Sequence, residues 1–316
     1  MQKTVLAFGE LLWDLLPSGR VLGGAPANFA YRVNSLGERG LIVSRVGIDP
    51  LGQSAVDRLV ALGMDTGYLQ RDDHYPTGTV RVQLDSQGNP DFFIVPGVAY
   101  DWIECPEALR HAASQADCLC FGTLVQRSDR SRHTLAEVLR AAPQALKLLD
   151  INLRKECYTP QTIRESLEQA DILKLNEQEV AHLAGLFQLR ANPLDLFAEV
   201  ALRRWNLSHC LITLGERGAF VASRSGEKVY SPGYRVRLAD TCGSGDACSA
   251  GFLHGLLHGE PVAQCLQLGN ALGAIVATQR GATQPISAPE LNGFLAAPPE
   301  RVIEPGLKPW ISMESS

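Results

Sequence analysis

An α/β fold is predicted: a central, mostly parallel sheet flanked by helices, with a small β-sheet set beside it. Three observations predict it. Short apolar runs of strand length recur along the chain, and amphipathic segments of helix length separate them. Such alternation builds parallel sheets covered on both faces, whose strands read as near-continuous apolar runs. Two further stretches break the rhythm, carrying turn residues but no helix to cover them.

Taken in order, the strands are Thr4 to Gly9 (TVLAFG), Leu41 to Gly47 (LIVSRVG), Asp117 to Gly122 (DCLCFG), Leu146 to Ile151 (LKLLDI), Asp171 to Asn176 (DILKLN) and His209 to Gly215 (HCLITLG). Each is too short for a helix, and most end in a turn or polar residue. Between them lie helices such as LGQSAVDRLVALG, where Val56, Leu59 and Val60 are expected to share a face. From Gly78 to Val95 the chain reads as a hairpin: Val80, Val82 and Leu84 alternate with polar neighbours, and DSQGNP supplies the turn. LLWDLLPSGRVLGG adds another pair of short strands. These segments, approximately 11–23 and 78–100, are expected to form a lid inserted into a single domain spanning 1–316. The last third is helical. Leu253, Leu256 and Leu257 give one helix its apolar side, and Gly259-Glu260-Pro261 stops it. VAQCLQLGNALGAIVATQRG follows as a second helix, small enough in its side chains to pack closely on the first.

The 316 residues, 45% of them hydrophobic, suffice for one large core. A net charge of −5 argues against nucleic acid as a partner. No run of eighteen apolar residues occurs, so no membrane partner is expected, and the N-terminus lacks a signal-peptide pattern. The eight cysteines are scattered through hydrophobic segments, with no C-x-x-C pair and no Cys/His cluster of zinc spacing, so buried thiols and a cytoplasmic location are expected.

Five stretches could carry chemistry. In RLADTCGSGDACSAGF, Asp240 and Asp246 bracket a Gly-Ser-Gly core at a helix start. Gly243 and Gly245 permit unusual backbone angles, and the free N–H groups of a helix start converge on anions. Asp246 is either a capping acid, stabilised by the helix dipole, or a general base beside an anion-binding loop. In VLGGAPANFA, Gly23, Gly24 and Asn28 suit hydroxyl recognition, or Pro26 merely opens a helix. Asp14, just upstream, is of a kind that accepts hydrogen bonds from sugar hydroxyls. Asp150, Asn152 and Arg154 alternate off a strand end, where open α/β sheets place ligands. Asn176 with Glu177 and Glu179 is either a helix cap or a carboxylate set holding waters around Mg²⁺. Thr213-Leu-Gly215 with Gly218 is locally only a turn. A P-loop lysine motif and the dinucleotide-binding G-x-G-x-x-G are both absent.

In combination and order, Gly-Gly-x-Pro-x-Asn, Asn-x-x-Glu, Thr-Leu-Gly-x-x-Gly and Asp-Thr-x-Gly-x-Gly-Asp resemble the ribokinase-like (PfkB) carbohydrate kinases over roughly Val5 to Pro285. The resemblance implies a Rossmann-like ribokinase fold with a small β-sheet lid, and ATP-dependent phosphorylation of a small sugar. It implies Asp246 as catalytic base, with Gly243, Ser244 and Gly245 forming the anion hole. Asp14, Gly24, Asn28 and Arg154 fall at sugar-side positions. Asn176, Thr213, Gly215, Gly218 and Asn270 fall at nucleotide positions. Glu179 is implied in Mg²⁺ binding through water. Asp240, with carbonyls near Cys242, Val276 and Gly281, resembles the K⁺ site of members that use that ion. Ser244 stands where the family usually has Ala, and Cys248 where it often has Phe.

GELLWDLLP, GGAPANFA and DINLR look closest to bacterial fructokinases. Kinases of 2-keto-3-deoxygluconate resemble the pattern too; their acidic substrate would call on Arg154 or Arg81. A non-catalytic sugar- or nucleotide-binding regulator is the rival of a different class. A Rossmann oxidoreductase lacks the fingerprint glycines. An exposed apolar lid face would suit a homodimer.

Overall fold

The computed structural model describes residues 1–16, 19–84 and 90–311. A nine-stranded sheet runs through the molecule. Its strands, numbered with the rest of the chain, are β1 (Thr4–Phe8), β4 (Arg39–Gly47), β5 (Leu69–Asp72), β8 (Cys118–Phe121), β9 (Leu146–Asp150), β10 (Ile172–Asn176), β11 (His209–Thr213), β12 (Ala219–Ser223) and β13 (Lys228–Ser231). The order is β13-β12-β11-β10-β9-β8-β1-β4-β5. All neighbours are parallel except β11–β12 and β12–β13. All six strands expected from the sequence are present.

Burial on both faces explains their apolar character. In β1, Leu6 and Phe8 enter one core while Val5 and Ala7 enter the other. In β8, Leu119 and Phe121 divide from Cys118 and Cys120 in the same way. The first core is covered by α3 (Glu107–Ser114), α4 (Asp129–Ala141), α5 (Pro160–Gln169), α6 (Glu177–Phe187) and α7 (Leu194–Arg204). The second is covered by α1 (Ala25–Ser35), α2 (Pro50–Ala61), α8 (Ser244–Leu257) and α9 (Val262–Ala277). In α2 the buried side is Gly52, Ala55 and Leu59, whereas Val60 is 59% exposed. Of the expected Val56–Leu59–Val60 face, Val56 and Leu59 do pack on the second core and Val60 does not; the buried line is 52, 55 and 59, spaced i, i+3 and i+7. After α9 come α10 (Ala288–Ala296) and β15 (Arg301–Val302), which pairs with β14 (Gly233–Tyr234) from before α8.

A separate four-stranded sheet has the order β3-β2-β6-β7, from β2 (Leu12–Leu16), β3 (Gly19–Gly23), β6 (Gly78–Leu84) and β7 (Pro90–Ile94). Its two antiparallel hairpins join through a parallel pairing of β2 with β6. The DSQGNP turn lies outside the described residues except at Pro90. Two anchors hold this sheet to the main body. Asp49 caps α2 and accepts hydrogen bonds from the Thr77 amide and hydroxyl, each at 2.8 Å, just before β6. Arg127 pairs with Asp101 at 2.9 Å and donates to the Val95 carbonyl at 2.8 Å, just after β7.

Helices α8 and α9 touch backbone to backbone. A Cβ at Gly251 would lie 2.8 Å from the Gly269 Cα, and one at Gly269 only 2.5 Å from the Cys248 carbonyl oxygen. Gly255 likewise admits Cys265, whose Sγ would be 2.7 Å from an added Cβ. Side chains cannot be accommodated in that seam without parting the helices. All eight cysteines are free; Cys105 and Cys242 are half-buried and the other six are buried. Among the described residues no helix is long and apolar enough to cross a membrane.

Candidate active site

The site lies at the C-terminal ends of β1, β8, β9, β10 and β11, where the first turn of α8 meets them. Gly243 precedes α8 with φ +76°. A side chain there would suffer twice, from the left-handed backbone and from Ala282, 2.2 Å from its Cβ. Gly245 leaves room for a cation instead: its Cβ would lie 3.0 Å from Lys174 Nζ. No side chain caps the first turn of α8. Its leading amides lack intrahelical acceptors, and that of Ser244 turns back to the Thr241 carbonyl at 3.2 Å. The Ser244 hydroxyl, buried in the same turn, has no hydrogen-bond partner among the described residues. A helix start, an unpartnered hydroxyl and a lysine together fit an anion.

Asp246 sits in this turn, half-buried. Asn28 Nδ2, from α1, donates to its Oδ2 at 2.9 Å. Loss of solvation and the neighbouring Asp150 carboxylate push the Asp246 carboxyl up to about 6, against the pull of Lys174, Asn28 and Arg154. Such a group is ionised at neutral pH yet close enough to titrating to accept a proton readily.

Two members of the cluster went unread in the sequence. Lys174, 7% exposed, points from β10 across its register partner Asp150 on β9. Its Nζ donates to Oδ1 and Oδ2 of Asp150 at 3.1 and 3.0 Å. Burial opposes its charge, but Asp150, Glu179 and Asp246 together hold its pKa above the ordinary value. The signal was a lysine inside an apolar strand, ILKLN, which burial obliges to find a carboxylate. The second is Glu10, 5% exposed, in the turn after β1. Desolvation raises its carboxyl to about 7, while hydrogen bonds and Arg154 act against the rise. Glu10, Asp150, Asn152 and Asp246 line one small cavity with Gly122 and Thr123.

The residues singled out in the sequence fall into two groups joined by Lys174. On one side, Asp14 on β2 feels Arg154 and Asp240; desolvation, the largest influence, raises its pKa. Gly24 caps α1 at φ +113°, with its Cα so near Glu10 that an added Cβ would lie 2.3 Å from the Glu10 carbonyl oxygen. Arg154 is exposed, but its charge reaches Glu10, Asp14 and Asp246. Asp240 accepts the amides of Cys242 and Gly281, each at 3.0 Å, tying the loop before α8 to the one after α9.

On the other side, Asn176 and Thr213 are register partners at the ends of β10 and β11. Asn176 and Glu179 form a capping box on α6. Glu179, 7% exposed, accepts the amides of Asn176 and Leu153 at 2.8 and 2.9 Å. The capping reading holds, and the buried Glu179 carboxylate also feels the charge of Lys174. Gly215 and Gly218 have φ +59° and +90°; a Cβ at Gly218 would lie 2.1 Å from the Ser231 carbonyl oxygen. Asn270 on α9 donates to Ser231 Oγ at 3.0 Å and to the Pro232 carbonyl at 2.7 Å. Its amide nitrogen is thus committed to holding the end of β13.

The pfkB family carbohydrate kinase profile matches residues 19–289. A fructokinase of Klebsiella pneumoniae is 34% identical over 301 residues, covering 89% of this chain and 95% of its own. A sugar kinase of Pyrococcus horikoshii, solved in complex with ATP, superposes with a TM-score of 0.75 at 29% identity, over 88% of this chain and 94% of its own. A Xylella fastidiosa fructokinase with bound ATP has the same fold, with a TM-score of 0.81 at 24% identity, covering 94% of this chain and 99% of its own. With the profile spanning most of the chain and a relative 34% identical along nearly its whole length, the chain belongs to the pfkB family of carbohydrate kinases.

Proposed function

We propose that the chain transfers the terminal phosphoryl group of ATP to a hydroxyl of a small sugar, and that the sugar is fructose. The observation that carries the chemistry is the Asp246 carboxyl, raised to about 6 at the head of an uncapped helix with Lys174 beside it. Fructose is supported by the 34% identity to a fructokinase along nearly the whole chain.

In this reading the sugar lies between the small sheet and α1, against Asp14, Gly24, Asn28 and Arg154. Asp246 accepts the proton of the attacking hydroxyl. Asn28 holds the carboxylate in aim through its 2.9 Å hydrogen bond. The amides of Gly243, Ser244 and Gly245 stabilise charge on the transferring group. The nucleotide lies along Thr213, Gly215 and Gly218, with Asn176 and Asn270 shaping its pocket. Mg²⁺ would neutralise phosphate charge; Glu179, already bound to two amides, suits contact through water better than direct ligation. Asp240 and the loop at Gly281 would hold K⁺. The small sheet, in the segments approximately 11–23 and 78–100, acts as a lid whose closure excludes water and limits futile ATP hydrolysis.

An ADP-release assay over fructose, 2-keto-3-deoxygluconate, ribose and adenosine, with and without K⁺, tests the assignment. The highest kcat/KM is expected for fructose. A preference for 2-keto-3-deoxygluconate would move the substrate to the acid sugar, and no turnover with any would favour the regulator. Asp14→Ala is expected to raise the sugar KM at least roughly tenfold, the worth of a charged hydrogen bond, with little change in the ATP KM. Equal damage to both constants would remove Asp14 from the sugar. The small sheet leaves Phe93 44% exposed on the face opposite Asp14. A homodimer through that outer face is part of the proposal, checked by light scattering: twice the chain mass is expected, and a monomer for a Phe93→Glu variant.

A further inference from the structure

We propose that Glu38, His254 and His258 form a binding site for a divalent transition-metal ion of the zinc type, at the far end of the helix that carries Asp246. His254 lies in the last turn of α8 and His258, four residues on, caps it, so their rings lie on one face with planes tilted by 47°. The ring centroids are 4.8 Å apart. Glu38 reaches them from just before β4, 220 residues away from His258 in sequence, and is 5% exposed. Its Oε1 lies 2.6 Å from His258 Nε2 and 3.0 Å from His254 Nδ1. The three candidate ligand atoms all lie within 4.8 Å of one another.

The arrangement is poorly explained as hydrogen bonding alone. One carboxylate oxygen faces two imidazole nitrogens, and His254 Nδ1 is buried without a properly formed hydrogen bond. An ion with bonds of about 2.0–2.2 Å would satisfy all three atoms at once. It needs them roughly 3.3 Å apart, so the rings must part from Glu38 by only some tenths of an ångström. The other carboxylate oxygen is already fixed: Glu38 Oε2 accepts the Lys3 amide at 2.6 Å. That leaves Oε1 as an oriented, monodentate donor of the kind outer-shell contacts create. The imidazole side chains keep 26% and 34% of their surface exposed, which opens a fourth position to water.

Two imidazoles and one carboxylate select zinc, cobalt or nickel over magnesium and calcium, which prefer oxygen. The site is remote from the chemistry, because His254 lies eight residues along α8 from Asp246, roughly 12 Å at the helical rise. Its effect would be to clamp the end of α8 to the start of β4 and the N-terminal strand. A second cluster, Asp72, Asp73 and His74, makes a useful contrast. There Asp72 is already paired with Arg45 at 2.6 Å, and the other two are exposed.

The test is a titration of the chelator-treated full chain with Co²⁺, in excess Mg²⁺, followed by displacement with Zn²⁺. One equivalent of Co²⁺ should bind with weak visible d–d bands and no thiolate charge-transfer band. Zn²⁺ should displace it and raise the melting temperature. His254→Gln and His258→Gln should each weaken binding at least roughly tenfold, while His74→Gln leaves it unchanged. Fructose phosphorylation by the two α8 variants should stay at the wild-type rate. The proposal is overturned if no saturable binding occurs, if a thiolate band shows cysteine ligation, or if His258→Gln binds like wild type. His258 is one-third exposed, so that variant folds even where a change at buried Glu38 does not.

Discussion

Asp246→Asn is expected to lower kcat by roughly 10²–10⁴, the usual worth of a positioned general base, while sugar affinity changes little. The amide keeps the shape and can still accept the Asn28 hydrogen bond, but it cannot take a proton. Steady-state kinetics with fructose and ATP read the effect; a rate within a few-fold of wild type would remove Asp246 as the base. The pH profile supplies a second readout. Wild-type kcat/KM should fall as pH drops through about 6, where the carboxyl becomes protonated. Glu10→Gln should leave that limb nearly in place, because Glu10, raised to about 7, is already largely protonated where Asp246 titrates. Stability should respond with opposite sign. The raised pKa means that the folded chain holds the proton more tightly than the unfolded chain. The favourable contribution is complete below the ordinary value of 3.8 and is lost as pH rises through about 6. Asp246→Asn should therefore melt higher than wild type at mildly alkaline pH, and the gain should vanish in acid. An inactive but more stable variant would separate loss of chemistry from loss of fold.

Lys174→Met should be nearly as damaging, for two separable reasons. It removes the cation beside Gly245, and the loss of one preorganised donor to a developing anion costs roughly 10²–10³ in kcat. It also leaves Asp150 charged, 7% exposed and unpaired, which costs about 3–5 kcal/mol of stability. Adding Asp150→Leu removes the stranded charge. The double variant should regain most of the stability, read by denaturant unfolding, without regaining kcat. Recovery of both would make Lys174 only a partner of Asp150.

The framework was legible because each strand is buried on both faces, so VLAF in β1 and CLCF in β8 carry apolar side chains without a break. The hairpins were legible through alternation and turn residues. Val60 was misplaced because apolar spacing alone does not say which arc of a helix meets the sheet; Gly52 and Ala55 define that arc by closeness of approach. In the site, Asp246 and Asn28 stood in recognisable motifs, yet nothing local announced their 2.9 Å contact across 218 residues. Lys174 and Glu10 were passed over because each stands in or beside an apolar run. Their significance comes from partners on neighbouring strands and loops, and register decides those partners. Glu38 with His254 and His258 shows the same limit: the absence of zinc spacing in the sequence says nothing about ligands brought together by the fold.

The glycine seam between α8 and α9 has a consequence for how this chain tolerates change. Substitution at Gly251 or Gly269 would force apart the helix that aims Asp246, without touching any reacting group. In a saturation-mutagenesis survey scored by growth, those glycines would be depleted as severely as the catalytic aspartate. Intolerance along positions 251, 255 and 269 would thus report the distance between two backbones, and a map of constraint would draw the active site one helix too wide.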